Sequence, residues 1–340
     1  MFPYVVLLVM PSVAPLTQRM PALVSVTASD AHAARARIAG IAIRTPLVRV
    51  PADLAGDVHL KLENLQPIGS FKIRGAANAM ALADPAAVRN GVYTASAGNM
   101  AQGVAWCARA RGVGCQVIVP EHAPRTKTDA IERLGGHVIR VPFEIWWKTL
   151  EDHAYPGMPG LFVHPFADAG VMAGNGTIAL ELLDDLADVD VVLVPYGGGG
   201  LSCGIAAVLR ESSPRTKVYA VEVETAAPLT ASLAAGKPVR VNVTRTFVDG
   251  MGSSAVSEEM WPLACTLLAG THVVTVAEVA EGVRMLAGRC RIVAEGAGAA
   301  TLAAALSPRF AGQRVACVVS GGNLDMDKLA TILGGELPLM

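Results

Sequence analysis

The chain has 340 residues, more than one comfortable core holds, so two domains or one large α/β unit are expected. With 52% hydrophobic and 17% charged residues it excludes a disordered chain, and a net charge of −1 with interspersed signs argues for no nucleic-acid or polyanion surface. Aromatics at 5% beside 34 glycines suit helices packed closely on a sheet better than an aromatic-rich sandwich.

Phe2 to Met10 is apolar, too short to cross a bilayer, and lacks the basic start of a secretory signal. Residues 1–19 are therefore read as a mobile extension or an artefact of the assigned start, with a contribution to an interface as the alternative. Ser29 to Ala39 follows as an amphipathic helix capped by Ser29 or Asp30. Thr45 to Val50 is extended, and Val58 to Leu62 alternates as a strand. Next comes Gly69-Ser70-Phe71-Lys72-Ile73-Arg74-Gly75, and a helix is predicted from Arg74 to Leu82.

Regular alternation then begins. Val92 to Thr94 is a strand. Asn99 caps a helix that runs to Arg111, with Gly112 just past its end. Gln116 to Val119 and His137 to Val141 are strands around a helix from Arg125 to Leu134. Trp146 to His153 is helical and Leu161 to Val163 extended. Thr177 to Leu186 is a helix. Val189 to Val194 is the β-branched run of a strand buried on both faces. Four glycines follow, then a helix from Ser202 to Arg210, a strand from Val218 to Val223 and a helix from Pro228 to Ala235. Helices at Val279 to Ala287 and Ala297 to Ala305 precede a last strand, Val315 to Val319, which leads into Ser320-Gly321-Gly322-Asn323. Strand–helix alternation of this kind means open, mainly parallel sheets with helices on both faces. The natural division is a large domain of residues 20–93 and 171–340 and a small domain of residues 94–170.

The six cysteines, Cys107, Cys115, Cys203, Cys265, Cys290 and Cys317, form no C-x-x-C pair and read as reduced thiols of a cytoplasmic protein. The seven histidines lack zinc spacing, so no metal site is expected.

The glycine run is the sharpest local signal. Each glycine lets the backbone approach an anion, and the following helix adds aligned N–H donors. It is no P-loop, since no G-K-[ST] follows. As a dinucleotide fingerprint it puts Ser202 or Cys203 where the third glycine belongs. Glu222 and Glu224 close the next strand at a spacing suited to a ribose, which keeps a nicotinamide dehydrogenase as an alternative. A single phosphate fits the loop better. Lys72 is the second signal. A lone lysine is usually solvated, but Phe71 and Ile73 flank this one. A partly desolvated lysine facing a phosphate-bearing aldehyde forms a Schiff base. Arg74 is read as a structural ion-pair partner. Ser96-Ala97-Gly98-Asn99 leads from strand to helix, where backbone N–H groups suit a substrate carboxylate or form an ordinary capped turn.

Together with Gly174-Asn175-Gly176-Thr177, these motifs make the chain resemble the serine/threonine dehydratase family of fold-type II pyridoxal-phosphate enzymes, which includes serine racemases, from about residue 40 to 325. The resemblance implies pyridoxal 5'-phosphate held on Lys72, with Phe71 beside its ring and Asn99 at its phenolic oxygen. Gly197, Gly198, Gly199, Gly200 and Leu201 would bind the phosphate, and Ser320 would meet the pyridine nitrogen. Ser96, Ala97, Gly98, Asn99 and Met100 would take the substrate carboxylate. Freed Lys72 would remove the Cα proton, the β-hydroxyl would leave, and hydrolysis would give a 2-oxo acid and ammonia. A neutral serine at the ring nitrogen weakens the electron sink and favours prompt elimination.

Departures from the family pattern carry information. Met100 replaces a histidine. Ala97 stands where racemases have a second serine, which points to elimination over racemisation. Of the family's cation ligands only Glu222 survives, with Ala226 offering a carbonyl and Pro228 in place of an acid, so no divalent cation is expected. The chain ends soon after Asn323, which leaves no room for a regulatory domain. The expected substrate is a small β-hydroxy amino acid, L-threonine or L-serine, with 3-hydroxyaspartate or a hydroxyectoine-derived amino acid as alternatives. A non-catalytic binding protein on the same scaffold is a further one. The resemblance also implies a homodimer, with neither nucleic acid nor membrane as partner.

Overall fold

The computed structural model describes residues 24–339, so the extension expected at residues 1–19 lies outside the described residues. The strands, in chain order, are β1 (Leu47–Arg49), β2 (Val58–Leu62), β3 (Val92–Ala95), β4 (Cys115–Pro120), β5 (Gly136–Val141), β6 (Leu161–Phe162), β7 (Val191–Pro195), β8 (Lys217–Val223), β9 (Gly270–Val274) and β10 (Val315–Val319). They form a six-stranded sheet ordered β1-β2-β10-β7-β8-β9 and a four-stranded sheet ordered β5-β4-β3-β6. Among these pairings only β1 with β2 is antiparallel.

The parallel arrangement follows from the strands' composition. Every residue of β7 (Val-Val-Leu-Val-Pro) and β10 (Val-Ala-Cys-Val-Val) is buried. Such strands need helices over both faces, and helices supply the crossovers that parallel pairing requires. β10 lies between β2 and β7, with Val315 in register with Val58 on one side and Val191 on the other. On one face Leu60, Leu193 and Cys317 pack against the Ala-rich helix Gly296–Ala305. On the other, Val192, Val194 and Val318 meet Ile205 and Leu209 of the helix Gly200–Ser212. Burying one such valine or leucine contributes about 1.5–3 kcal/mol.

In the large sheet β7, β8 and β9 add outward, and the chain then returns to the other side of β7 as β10. In the small sheet β3, β4 and β5 add outward and β6 returns beside β3. Ligands of open α/β sheets bind outside the carboxyl ends of strands at such reversals. The glycine loop follows β7, the Ser320 turn follows β10, the Ser96 turn follows β3, and the Lys72 segment follows β2.

A buried polar network holds the Lys72 helix (Lys72–Leu82) in place. Arg74, 1% exposed, donates to Glu63 at 2.8 Å and to Glu181 at 2.7 Å. Lys61, wholly buried, donates to Glu181 at 2.5 Å and to the Thr45 carbonyl at 2.6 Å. Arg74 thus has the structural ion-pair role expected of it. The motif Gly174 to Thr177 lies inside the helix Ala169–Asp185. There Gly174 meets the Arg74 backbone, and the Thr177 hydroxyl accepts from Arg74 at 3.0 Å. The motif is packing for the Lys72 helix.

Several boundaries differ from the sequence reading, each for a physical reason. The first helix, Ala28–Arg37, is capped by Thr27, with Asp30 closing a reciprocal capping box. The helix expected from Arg74 starts at Lys72. The helix expected from Thr177 starts at Ala169, because Asp168 caps it by accepting from the Val171 N–H at 2.8 Å. The division drawn at residue 94 cuts β3, whose four residues all belong to the small sheet. β9 had no reading because it is an edge strand with one fully buried residue, so no continuous apolar run marks it. The short helices Trp261–Leu267 and Met326–Leu333 also lay in stretches without a reading.

Candidate active site

Lys72 is the first residue of its helix. The residue as a whole is partly exposed, but its amine is buried. Nζ donates to the Pro165 carbonyl at 2.6 Å and lies 5.2 Å from the centroid of the Phe71 ring. Burial lowers the amine's pKa from the usual lysine value to about 8, against the opposing pull of the Glu295 charge. A larger fraction of it than of a solvated lysine is therefore neutral, and nucleophilic, near physiological pH.

Two contacts pin the Lys72 segment to the turn after β10. The Phe71 N–H donates to the Ser320 carbonyl at 3.0 Å, and the Gly322 N–H donates to the Gly69 carbonyl at 2.9 Å. Ser320 itself is 2% exposed.

The glycine loop reaches the same place through the segment His164 to Phe166. A Cβ on Gly198 would sit 2.2 Å from the Phe166 ring, and one on Gly200 would sit 2.5 Å from the Phe166 carbonyl. Gly199, at a φ of 91°, is in the left-handed region and leads into the helix Gly200–Ser212, whose first turn has no side-chain cap. The Leu201 side chain is buried in the core, so its contribution to an anion is its N–H. His164 shapes the connecting segment. Its Nδ1 accepts from the Ala167 N–H at 2.7 Å and from the Phe166 N–H at 3.2 Å. Burial, then the neighbouring His153 and Lys72 charges, keep its pKa well below the usual imidazole range. A neutral ring is what that acceptor role requires.

The Ser96 turn closes the cleft from the small sheet. The Ser96 hydroxyl accepts from the Gly98 N–H at 3.2 Å. Asn99 does not cap its helix as expected. Gly98 occupies the cap position, and the first turn has no side-chain cap, which leaves its N–H groups for a carboxylate. The Asn99 side chain has a stronger partner instead: its amide donates to Glu295 at 2.9 Å and 3.1 Å, and its carbonyl accepts from Asn323 at 2.8 Å. The Met100 side chain is 1% exposed and sits in the apolar core with Ile68 and Ile73. What Met100 can offer a substrate is its backbone, so its side chain is not a reader of substrate identity.

Glu295 was missed in the sequence. It has no motif and lies 196 residues from Asn99. The usable signal was a single charge inside the mainly apolar run Ile292-Val293-Ala294-Glu295-Gly296-Ala297. Burial raises its carboxyl pKa to about 7, against the Asn99 hydrogen bond.

Glu222, the remaining acid of the family's cation set, is already satisfied. It accepts from the Leu229 and Thr230 N–H groups at 2.8 Å each and from the Thr230 hydroxyl at 2.6 Å. The start of the helix Pro228–Ala235 balances its charge, an arrangement that does not fit a cation there.

A phosphate-bearing aldehyde does fit the residues that converge. The glycine loop supplies uncapped N–H groups on a backbone packed too closely on Phe166 for a Cβ at Gly198 or Gly200, and Lys72 supplies a buried amine of lowered pKa. One consequence is kinetic. Covalent loading of the apoprotein needs the neutral amine, so its rate should rise about tenfold per pH unit below the Lys72 value of about 8 and level off above it. Stopped-flow appearance of the visible band across pH 6 to about 9.5 measures this. A rate still climbing at the upper end would place the amine in an ordinary solvated environment.

Comparison with known proteins agrees with this geometry. The family described as pyridoxal-phosphate dependent enzyme matches residues 38–321. An L-threonine ammonia-lyase of Thermotoga maritima is 37% identical over 319 residues, covering 92% of this chain and 79% of the relative. A serine racemase of Oryza sativa subsp. indica is 32% identical, covering 89% of this chain and 93% of the relative. The solved structure of maize serine racemase superposes with a TM-score of 0.83 at 30% identity, covering 92% of this chain and 98% of that one. The chain belongs to the pyridoxal-phosphate dependent enzyme family.

Proposed function

We propose that the protein is a pyridoxal-phosphate dependent ammonia-lyase that eliminates water from L-threonine or L-serine and releases a 2-oxo acid and ammonia. The observation that carries this reading is the buried Lys72 amine, whose partner Pro165 precedes the Phe166 that packs on the glycine loop. Relatives named L-threonine ammonia-lyase at 37% and 41% identity support the substrate class.

In this reading the N–H groups from Gly197 to Leu201 hold the cofactor phosphate, and Phe71 packs beside the ring. The Ser320 hydroxyl meets the ring nitrogen. N–H groups of Ser96 to Met100 hold the substrate carboxylate, which aims the Cα–H at Lys72. Pyridoxal phosphate, when bound, delocalises the electron pair left at Cα. Lys72 Nζ takes the Cα proton; its lowered pKa suits a base working near neutral pH. The Pro165 carbonyl, 2.6 Å from Nζ, orients the free amine. The segment from His164 to Phe166 links that amine to the glycine loop, on which Phe166 packs.

Ala97 separates elimination from racemisation. It carries no hydroxyl with which to return a proton to the opposite face of Cα. Ala97→Ser should therefore raise D-serine formation from L-serine at least about tenfold over the parent, read in a chiral assay. A variant that forms no more D-serine than the parent would remove this argument.

The reading extends to a homodimer in the cytoplasm. Free Cys107, Cys115, Cys203 and Cys317, all buried, support a reducing compartment, and among the described residues no helix is long and apolar enough to cross a membrane. Light scattering measures the dimer directly. The assay for function is 2-oxo acid release across L-threonine, L-serine and 3-hydroxyaspartate. Absence of product from all three, in a protein carrying its cofactor, would overturn the proposal.

A further inference from the structure

His164 is a buried histidine to which the mechanism above gives no step. It is 3% exposed. Its ring is held on two sides. It stacks on the His153 ring, with centroids 4.3 Å apart, and meets the Phe166 ring edge-on at 4.5 Å. His153 is fixed in turn, with Nε2 3.2 Å from Glu259 Oε1. The His164 ring is thereby set in one orientation, with Nδ1 turned back on its own chain.

Nδ1 accepts from the Phe166 N–H at 3.2 Å and from the Ala167 N–H at 2.7 Å. Both partners are donors. Nδ1 therefore carries no proton, and the proton of the neutral ring is on Nε2. These two bonds bracket Pro165. The proline ring fixes its φ at about −65°, which leaves ψ as its one soft backbone angle. That angle sets the direction of the Pro165 carbonyl. The carbonyl and the Phe166 N–H belong to a single peptide unit, planar and trans. His164 holds this unit by its N–H, and Lys72 Nζ is held by its C=O at 2.6 Å. Turning the unit would break both bonds.

We propose that His164 is a positioning residue for Lys72: its unprotonated Nδ1 locks the peptide between Pro165 and Phe166, and that peptide holds the lysine amine in its reactive orientation. The proposal rests on the pyridoxal-phosphate reading of the site. The role asks the ring to accept, and to transfer no proton. An asparagine meets the same requirement. Its carbonyl oxygen stands one bond beyond Cγ, as Nδ1 does in histidine, and accepts from N–H groups two residues on. A phenylalanine fills the place of the ring and offers no acceptor. The two substitutions separate the acceptor from the packing.

The test compares the parent, His164→Asn and His164→Phe, each with its cofactor and each stripped of it. One readout is the rate at which the visible band appears when pyridoxal phosphate is added to the stripped protein. The other is kcat and KM for 2-oxo acid release from L-threonine. His164→Phe should load on the order of tenfold more slowly and lose on the order of tenfold to a hundredfold in kcat, the loss expected of a misplaced reacting group. Its KM should stay within about threefold of the parent, since the Ser96 turn is untouched. His164→Asn should recover both rates to within about threefold of the parent. His164→Ala, which lacks the acceptor and the ring alike, stands in for the phenylalanine variant if that one does not fold. A phenylalanine variant as fast as the parent overturns the proposal. So does an asparagine variant that is as slow as the phenylalanine one or does not fold, since packing and not the acceptor would then hold the segment. A parent protein that takes up no cofactor overturns instead the reading on which the proposal rests.

Discussion

Lys72→Ala is expected to abolish the visible absorbance of the purified enzyme and to lower 2-oxo acid formation by at least about 10⁴-fold. The size follows from two losses at one atom. In the proposed mechanism Nζ is both the covalent anchor of the cofactor and the base beside Cα, and the nearby carboxyl, Glu295, is already bound by Asn99. Cofactor should then dialyse away from the variant. The fold should survive, because the side chain gives up a single hydrogen bond to Pro165, and stability should change by no more than about 1 kcal/mol. Circular dichroism melting beside the absorbance and the keto-acid assay checks all three. A colourless but fully active variant would show that the chemistry lies elsewhere.

Glu181→Ala is expected to be the most damaging substitution to stability at the base of the site. Lys61 at 2.5 Å and Arg74 at 2.7 Å both depend on this carboxylate, and both are buried. Its removal leaves Lys61 with the Thr45 carbonyl alone and Arg74 with Glu63 as its one carboxylate, beside Thr177 and the Ile43 carbonyl. Breaking one member of a buried charge network costs about 3–5 kcal/mol, because the remaining charges stay buried and uncompensated. For a chain of this size that is a fall in melting temperature on the order of 10 °C. The pH dependence has a definite sign. Burial opposes the Glu181 charge, but Arg74 and Lys61 hold its pKa below the usual carboxylate value. A depressed folded-state pKa contributes stability that is complete above the unfolded-state value of roughly 4.3 and is lost as the pH falls below it. Thermal melts at pH 7 and at lower pH measure both effects. A variant melting within about 2 °C of the parent would mean the network contributes little.

Part of the site could be read before any coordinates. The four glycines after β7, the lysine between Phe71 and Ile73, and the Ser96 and Ser320 turns each stand where a strand ends and the chain turns. That is where local sequence is most constrained. The roles of individual side chains were less legible. Asn99 looks like a helix cap because an Asn at that position usually is one. The cap was displaced by a carboxylate contributed from 196 residues away. Met100, which departs from a family pattern, has its side chain in the apolar core. Gly174 to Thr177, one of the motifs that carry the family resemblance, packs one helix against another.

What the sequence determined by itself was the class of fold and the class of chemistry. β-branched runs separated by helix-length segments admit few solutions other than parallel sheets covered by helices. A glycine loop behind such a strand admits few ligands other than a phosphate. Only the tertiary structure decided which charged groups share the site. Glu295 reaches Asn99, Asn323 reaches Ile68, and Pro165 reaches Lys72 across separations that no local pattern encodes. The physical reason is that pKa values and hydrogen-bond direction depend on burial and on the nearest partner in space. Both are set when the two sheets come together, and neither is a property of a residue and its chain neighbours.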